Sequence, residues 1–335
     1  MPRRFLKFPV ILLGILLWLQ ACGSGGGDPV RRTQVIMGTL VEITVSDSDE
    51  ERAQTAITQA FDEMSRLEQL MSTYIPDSEI SRINRAAGKE AVTVSPEVEE
   101  VIHEALFWSE QSKGAFDLTV EPLVQLWDFD GGKEVVPGAA TLKKTAGLVN
   151  YKDIELKDHT VKLTRSGMAI NVGGLAKGYA VDRAVSLLRS RVSGGIVNAG
   201  GDLYAFGQKT PTASWTIGLQ HPRKPQDLLA AFAVKNQAVA TSGDYQRYFI
   251  KDGVRYHHIF DPQTGQPARQ MISATIIAHE VMEADALATA VFVMGPTRGI
   301  EWVDSIENVE AMLVLEDQSI VYSKHFRDQR QFALQ

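Results

Sequence analysis

Ile272-Ser273-Ala274-Thr275-Ile276-Ile277-Ala278 is the last of five β-rich segments in the second half of this 335-residue chain. Before it come 195–199, 214–219, 229–240 and 246–260, rich in β-branched or aromatic residues and separated by turn residues. No helical pattern lies between them. Consecutive strands without crossover helices pair as antiparallel neighbours, which predicts an α+β fold and not a doubly wound one. Helical patterns flank the run. A helix from about 280 to 294 stops at Gly295-Pro296, followed by a shorter helix near 296–306 and a hairpin around Glu316-Asp317. Upstream, Met168 to Val172 reads as a strand entering Gly173-Gly174. A helix follows, with Ala180, Val181, Ala184, Val185, Leu187 and Leu188 on one face.

Further towards the N-terminus, Val35 to Val45 is strand-like, and Ala60, Phe61, Met64, Leu67, Leu70 and Met71 recur at helical spacing. Asp77-Ser78 can cap a short helix ending near Gly88. Ser95-Pro96-Glu97 starts another helix, with a capping hydroxyl, a proline in the first turn and then an acid; Val98, Val101, Ile102, Ala105 and Leu106 form its apolar stripe. Residues 130–165 are polar and turn-rich, with a short hairpin expected. The expected architecture is mainly antiparallel sheets flanked by helices, in a single domain over 33–335.

The first 21 residues belong to a different class. Arg3, Arg4 and Lys7 precede an apolar run from Phe8 to Leu19 that is short for a membrane span. A basic head before a short apolar core reads as a secretory signal. The run ends Leu19-Gln20-Ala21-Cys22, which resembles a bacterial lipobox, and Cys22 is the only cysteine. The alternative is an ordinary signal with an incidental cysteine. Gly23-Ser24-Gly25-Gly26-Gly27 then reads as part of a flexible tether over 22–32. Loss of residues 1–21 removes three cations and takes the net charge from −7 to −10. An acidic body of this kind lacks the footprint of a nucleic-acid binder. One cysteine also excludes an intrachain disulfide framework or a Cys-based metal cluster.

Three stretches carry candidate chemistry. Gly173-Gly174-Leu175-Ala176-Lys177-Gly178 is neither a Walker loop nor a Rossmann fingerprint. It does place free amides at a helix start, which suits an anion; a plain tight turn is the alternative. Asp285 and Thr289 stand four apart on an otherwise apolar helix and so share a face. They could hold a hard cation whose other ligands are phosphates. Equally, Thr289 could bond back to its own helix and Asp285 could meet an arginine. His257 and His258 end a strand before Asp261-Pro262, and alternation sends them to opposite faces. One can then serve as a general base while the other is structural. His279-Glu280-Val281-Met282-Glu283 misses the zinc HExxH pattern, and no serine sits in a Gly-x-Ser-x-Gly elbow.

Taken in order, the chain resembles the ApbE family, the FAD:protein FMN transferases. The stretches that carry the likeness are Met37-Gly38-Thr39, Met71-Ser72-Thr73-Tyr74, Gly114-Ala115-Phe116-Asp117, Gly173 to Asp182, Asn198 to Asp202, Thr241 to Tyr245, His258 with Asp261-Pro262, and Ala284 to Thr289. The resemblance implies FAD contacts at Met37, Tyr74, Ala115, Phe116, Asp117, Lys177 and Phe260. It implies Mg2+ on Asp285, Thr289 and the Gly174 carbonyl, and His258 as general base. The position just ahead of the Gly-Gly loop is usually an FAD-contacting aspartate, and here it is Asn171. The implied reaction takes FMN from FAD to a Thr or Ser hydroxyl of a target protein through a phosphoester bond, releasing AMP. An unperturbed histidine base would make the rate rise through about pH 6.5. The implied acceptors are flavin-bearing subunits of membrane electron-transport complexes. The enzyme would be lipid-anchored at Cys22 on the inner or outer membrane, facing the periplasm. Water in place of the hydroxyl would give an FAD pyrophosphatase, and loss of catalysis a flavin-binding lipoprotein.

If Cys22 is the acylated mature N-terminus, Cys22→Ser moves the protein from the membrane to the soluble fraction. Unchanged fractionation with no lipid mass on the wild type would contradict that reading.

Overall fold

The computed structural model describes residues 29–127, 129, 134–210, 212–326 and 332–334. The leader, Cys22 and the Gly-rich stretch lie outside the described residues. The first strand, β1 (Val30–Ile36), begins ahead of the expected boundary at 33 and pairs with β2 (Thr39–Ser46). What reads as one strand from Val35 to Val45 is therefore a hairpin. Its two-residue turn puts both Met37 (φ 54°) and Gly38 (φ 68°) in the left-handed region, as a type I′ turn requires.

Helix α1 (Glu50–Met71) starts at Asp49, whose side chain accepts the Arg52 N–H; Ala53, Ala56, Ile57, Ala60, Phe61, Met64 and Leu67 form its buried stripe. Ser78 caps α2 (Glu79–Arg85). After β3 (Val92–Thr93), Ser95 caps α3 (Pro96–Gln111) as its sequence predicts. Helices α4 (Glu121–Trp127) and α5 (Ala139–Ala146) follow, then the hairpin β4 (Ile154–Lys157) and β5 (Thr160–Leu163), which pairs with β3.

The expected strand over 168–172 is irregular. Its backbone groups find partners outside any ladder. The Asn84 side-chain amide accepts from Ile170 N–H and donates to Ile170 O, and Asn171 N–H donates to Leu118 O at 2.7 Å. A segment satisfied this way needs no strand neighbour. It leads through Gly173-Gly174 into α6 (Ala176–Arg189).

The remaining elements are β6 (Gly194–Ala199), β7 (Asp202–Gly207), β8 (Trp215–His221), β9 (Lys224–Val234), β10 (Gln237–Gly243), β11 (Tyr248–Lys251), β12 (Val254–His257), β13 (Met271–Ala278), α7 (Val281–Met294), α8 (Pro296–Val303), β14 (Glu310–Leu315), β15 (Ile320–Tyr322) and β16 (Phe332–Leu334). The expected single strands at 229–240 and 246–260 each break into two, at Asn236 and at Asp252-Gly253, all with positive φ. Strand β7 is an addition to the sequence reading. Eight strands form one sheet in the order β1-β2-β6-β7-β10-β13-β14-β15, antiparallel at every pairing.

Strand alternation gives this sheet two cores. Tyr204, Phe206, Ala238, Ala240, Ile276 and Leu313 face α1, α6 and α7. Leu203, Ala205, Val239, Ile277 and Met312 pack with Trp215, Ile217 and Phe232 of the β8–β9 sheet. A smaller aromatic core joins Trp127 to Phe129, Phe249, Tyr256 and Phe260, and Trp127 donates its indole N–H to Gly265 O at 2.9 Å. It ties α4 to the β11–β12 hairpin.

Helices α6 and α7 meet closely. The Asp182 carboxylate of α6 accepts the N–H groups of Val281 and Met282 at 3.0 and 2.9 Å, so it caps α7 at the positive end of its dipole. A Cβ on Gly178 would lie 2.5 Å from Val281 O and 2.6 Å from the Met282 backbone. Those atoms cannot swing aside. Gly178→Ala is therefore expected to cost about 1–3 kcal/mol, the usual range for overpacking. Urea unfolding measures it, and an unchanged midpoint would refute the close approach.

Candidate active site

The first turn of α6 is where distant parts of the chain converge. Lys177 Nζ donates to Gly173 O at 2.9 Å and to Asp285 Oδ2 at 3.1 Å, and pairs with Asp202 Oδ2 at 3.1 Å. Asp202 comes from the start of β7 and Asp285 from α7; both are buried. Burial disfavours the Lys177 ammonium, but the Asp202 and Asp285 carboxylates outweigh it and hold its pKa above the ordinary lysine value. Burial and the neighbouring Asp285 push the Asp202 carboxyl upward.

Asp285 and Thr289 stand one turn apart on α7, as their spacing predicts. Asp285 meets a lysine, not an arginine. Its Oδ2 also lies 3.4 Å from the Gly178 N–H, while Oδ1 takes no hydrogen bond among the described residues. Thr289 Oγ1 shares a hydrogen bond with Ser242 Oγ at 3.2 Å, and among the described residues it makes no bond back to its own helix. A Cβ on Gly174 would lie 3.7 Å from Thr289 Oγ1 and 2.9 Å from the Phe116 ring, so the Gly-Gly turn lies against this pair. Among the described residues no three His, Cys, Asp or Glu side chains cluster as metal ligands. The oxygens gathered here are instead the Asp285 carboxylate and Thr289 hydroxyl of α7 and the Ser242 hydroxyl of β10, with the Gly-Gly turn alongside. Hard oxygen donors with few protein charges fit Mg2+ whose remaining positions go to phosphates or water.

Asn171 bridges the Gly-Gly turn to α4. Its Oδ1 accepts the Gly173 N–H at 2.7 Å and its Nδ2 donates to Glu121 Oε2 at 2.6 Å. The other Glu121 oxygen accepts from Gln125 Nε2 at 2.9 Å. Burial raises the Glu121 pKa, opposed by the two amides and by the charge of Arg247.

The other expected flavin contacts divide by exposure. Tyr74 is 67% exposed, and its hydroxyl accepts from Arg247 Nη2 at 3.0 Å. Met37 sits at the β1–β2 tip, where its N–H donates to Glu68 at 2.7 Å. Ala115 is half-buried beside Gly114. Phe116, Asp117 and Phe260 are buried. The Asp117 carboxylate accepts from Thr119 N–H and Oγ1 and from Tyr151 N–H, and burial raises its pKa. Phe260 packs in the aromatic core with ring centroids 6.0 Å from both Trp127 and Phe129.

The two histidines separate as alternation predicts. His257 is buried edge-on to Phe292 at 5.4 Å. Its Nε2 bonds to Ala268 O at 2.9 Å and its Nδ1 faces the Ile259 N–H at 3.3 Å, which assigns the proton to Nε2. His258 is half-buried, with Nδ1 3.3 Å from Arg247 O. That partner is an acceptor, so Nδ1 carries the proton and Nε2 keeps its lone pair. Burial pushes His258 down to about 3, helped by the Arg247 charge, and burial pushes His257 down to about 4.

The chain as a whole has counterparts. The profile of the ApbE family matches residues 37–313. This chain belongs to the ApbE family. It is 31% identical over 332 residues to the FAD:protein FMN transferase of Treponema pallidum (strain Nichols), covering 92% of this chain and 91% of the relative. A Klebsiella pneumoniae (strain 342) protein of the same name is 33% identical over 294 residues, covering 86% and 90%. Among solved structures, the ApbE protein of Thermotoga maritima superposes with a TM-score of 0.84 at 37% identity, covering 90% of this chain and 98% of that one. The flavin transferase ApbE of Vibrio cholerae gives 0.81 at 28% identity, covering 91% and 99%.

Asp202, Ser242, Arg247 and Glu121 enter the site without having been singled out from sequence. Asp202 and Ser242 lie within the family-like stretches 198–202 and 241–245. Glu121 and Arg247 carry no local signal, since only the tertiary fold brings them to Asn171 and Tyr74.

The depressed histidine pKa values have a direct readout. Both rings are expected to stay neutral at pH 5.5, and NMR titration of labelled imidazoles should place both transitions below pH 5. A His258 midpoint near 6.5 would contradict the described environment.

Proposed function

We propose that this chain transfers FMN from FAD to a Thr or Ser hydroxyl of a flavoprotein and releases AMP. The observation that carries the reading is the junction of the Asp285/Thr289 face with the Gly173-Gly174 turn at the start of α6, in a chain of the ApbE family. The positive end of the α6 dipole favours a phosphate, although the N–H groups of Gly173, Leu175 and Ala176 are already engaged by Asn171 Oδ1 and Val172 O, so fewer amides are free there than the sequence suggests. Gly173 and Gly174 let that phosphate approach the main chain without side-chain obstruction.

Asp285 Oδ1, Thr289 Oγ1 and the Gly174 carbonyl are the groups assigned to hold Mg2+. When bound there, the ion supplies neutralisation of the pyrophosphate and of the leaving AMP. Lys177 fixes the orientation of Asp285. His258 Nε2 takes the proton from the attacking hydroxyl. The hydroxyl oxygen forms a bond to the phosphorus nearer riboflavin, and the bond from that phosphorus to the AMP phosphate breaks. With His258 neutral well below pH 6, its titration does not shape the rate between pH 6 and 8. The inflection expected near 6.5 for an unperturbed base therefore moves to lower pH.

Tyr74 offers the flavin an exposed side chain, and Met37 a half-buried one that packs against the core. At Phe116, Asp117 and Phe260 the side chains are committed to the interior, so contacts there fall to the backbone. Asn171 offers the turn an amide where a carboxylate would add charge. Among the described residues no helix is long and apolar enough to cross a membrane. A lipid anchor at Cys22 would hold the domain at the envelope, facing the periplasm, with acceptors among flavin-bearing subunits of membrane electron-transport complexes.

Incubation with FAD, Mg2+ and an acceptor, read by mass spectrometry, tests the reading. FMN mass on an acceptor Thr or Ser supports it. Free FMN and AMP with an unmodified acceptor would make the enzyme a pyrophosphatase, and flavin binding without AMP release would make it a binding protein. Asp285→Ala should abolish metal-dependent turnover with the fold largely kept, and His258→Ala should lower transfer by about 10²–10⁴-fold. Full activity of Asp285→Ala, or turnover indifferent to EDTA, would remove the metal assignment.

A further inference from the structure

We propose that Glu121 is a positioning residue for this site: acting through Asn171, it sets the Gly173-Gly174 turn against Lys177 and the Asp285/Thr289 pair. The proposal rests on the flavin-transfer reading above. A continuous series of hydrogen bonds carries it. Gln125 Nε2 donates to Glu121 Oε1, Asn171 Nδ2 donates to Glu121 Oε2, Gly173 N–H donates to Asn171 Oδ1, and Lys177 Nζ donates to Gly173 O and Asp285 Oδ2. It runs from α4 to α7 through the turn. Glu121 is only 5% exposed, so its carboxylate is held by these amides and not by bulk water.

The direction of each bond matters. A carboxylate at 121 can only accept, so it turns the Asn171 amide with Nδ2 towards it. That leaves Oδ1 as the acceptor that Gly173 N–H needs. The reverse orientation would set two acceptors face to face and two donors face to face. There is also no slack at the turn, because a Cβ on Gly173 would lie 2.8 Å from Asn171 Oδ1. An aspartate at 171 would put a second carboxylate oxygen where Nδ2 now lies, 2.6 Å from Glu121 Oε2. The contact between 121 and 171 therefore demands one donor and one acceptor, and tolerates one charge. Arg247, whose guanidinium bonds to the Tyr74 hydroxyl, lies close enough to stabilise that charge.

Three variants of the full chain test this: Glu121→Gln, Asn171→Asp and the exchange Glu121→Gln/Asn171→Asp. FAD affinity is read by flavin fluorescence with Mg2+ present, Mg2+ affinity by calorimetry on the FAD complex, and folding by thermal midpoint. Glu121→Gln keeps an acceptor towards Asn171 and should weaken binding only a few-fold. Asn171→Asp should weaken both affinities by about tenfold or more, the scale of a buried polar group left facing a like partner. The exchange variant again has one donor and one acceptor, with the introduced amide at 121 donating to the introduced carboxylate at 171. It should return both affinities to within about threefold of the Glu121→Gln variant, a strongly non-additive cycle. If Asn171→Asp does not fold, recovery of both folding and binding in the exchange variant supports the assignment equally. Additive losses, or an Asn171→Asp protein that binds like the parent, would overturn it. A parent that binds no FAD would defeat the flavin-transfer reading itself, and is read first.

Discussion

The site is organised around one cation between two buried carboxylates. Lys177 joins the first turn of α6, the start of β7 and the second turn of α7, three elements separated in the chain. Two carboxylates at such low exposure need a cation between them. Buried ion pairs of this kind are weak contributors to net stability, because desolvation offsets most of the attraction. Their value is geometric. Once the ammonium is fixed, Asp285 faces the Gly-Gly turn with one oxygen engaged and the other available.

The remaining architecture serves that placement. An antiparallel sheet with two cores gives a rigid platform, and β13, buried along its whole length, stands within it between β10 and β14. Helix α7 lies over β10 and β13. It is held at its N-terminus by Asp182 and pressed against α6 where Gly178 has no side chain. The aromatic core around Trp127 ties α4 to the β11–β12 hairpin. One consequence is that Glu121, on α4, and His258, just past β12, are linked to the same structural unit. Arg247 is close enough to influence the charge state of both.

Much of this is legible in the sequence where the signal is local. The capped starts of α2 and α3, the apolar stripe of α1 and the spacing of Asp285 and Thr289 are short-range patterns, and the structure contains all of them. The split of His257 and His258 agrees with strand alternation, although β12 ends at His257 and the bend that follows sets the final position of His258. Sequence and structure part where local and tertiary preferences diverge. Residues 168–172 look like a strand because they are apolar and extended, but Asn84 and Leu118 satisfy their backbone from distant parts of the chain. Met37-Gly38 hides a turn inside a β-rich run, since a methionine with positive φ gives no compositional warning. Phe116, Asp117 and Phe260 match family positions, yet their side chains serve the core. The pairing of Lys177 with Asp202 and of Asn171 with Glu121 depends on contacts that no sequence period encodes.

The chemistry assigned to this site depends on where the metal sits relative to Lys177. A crystal structure with FAD and Mn2+, read by anomalous scattering, tests that most directly. The metal is expected against Asp285, Thr289 and the Gly174 carbonyl, touching the FAD pyrophosphate, with Lys177 still bridging Asp202 and Asp285. A metal held elsewhere, with neither Asp285 nor Thr289 among its ligands, would contradict it.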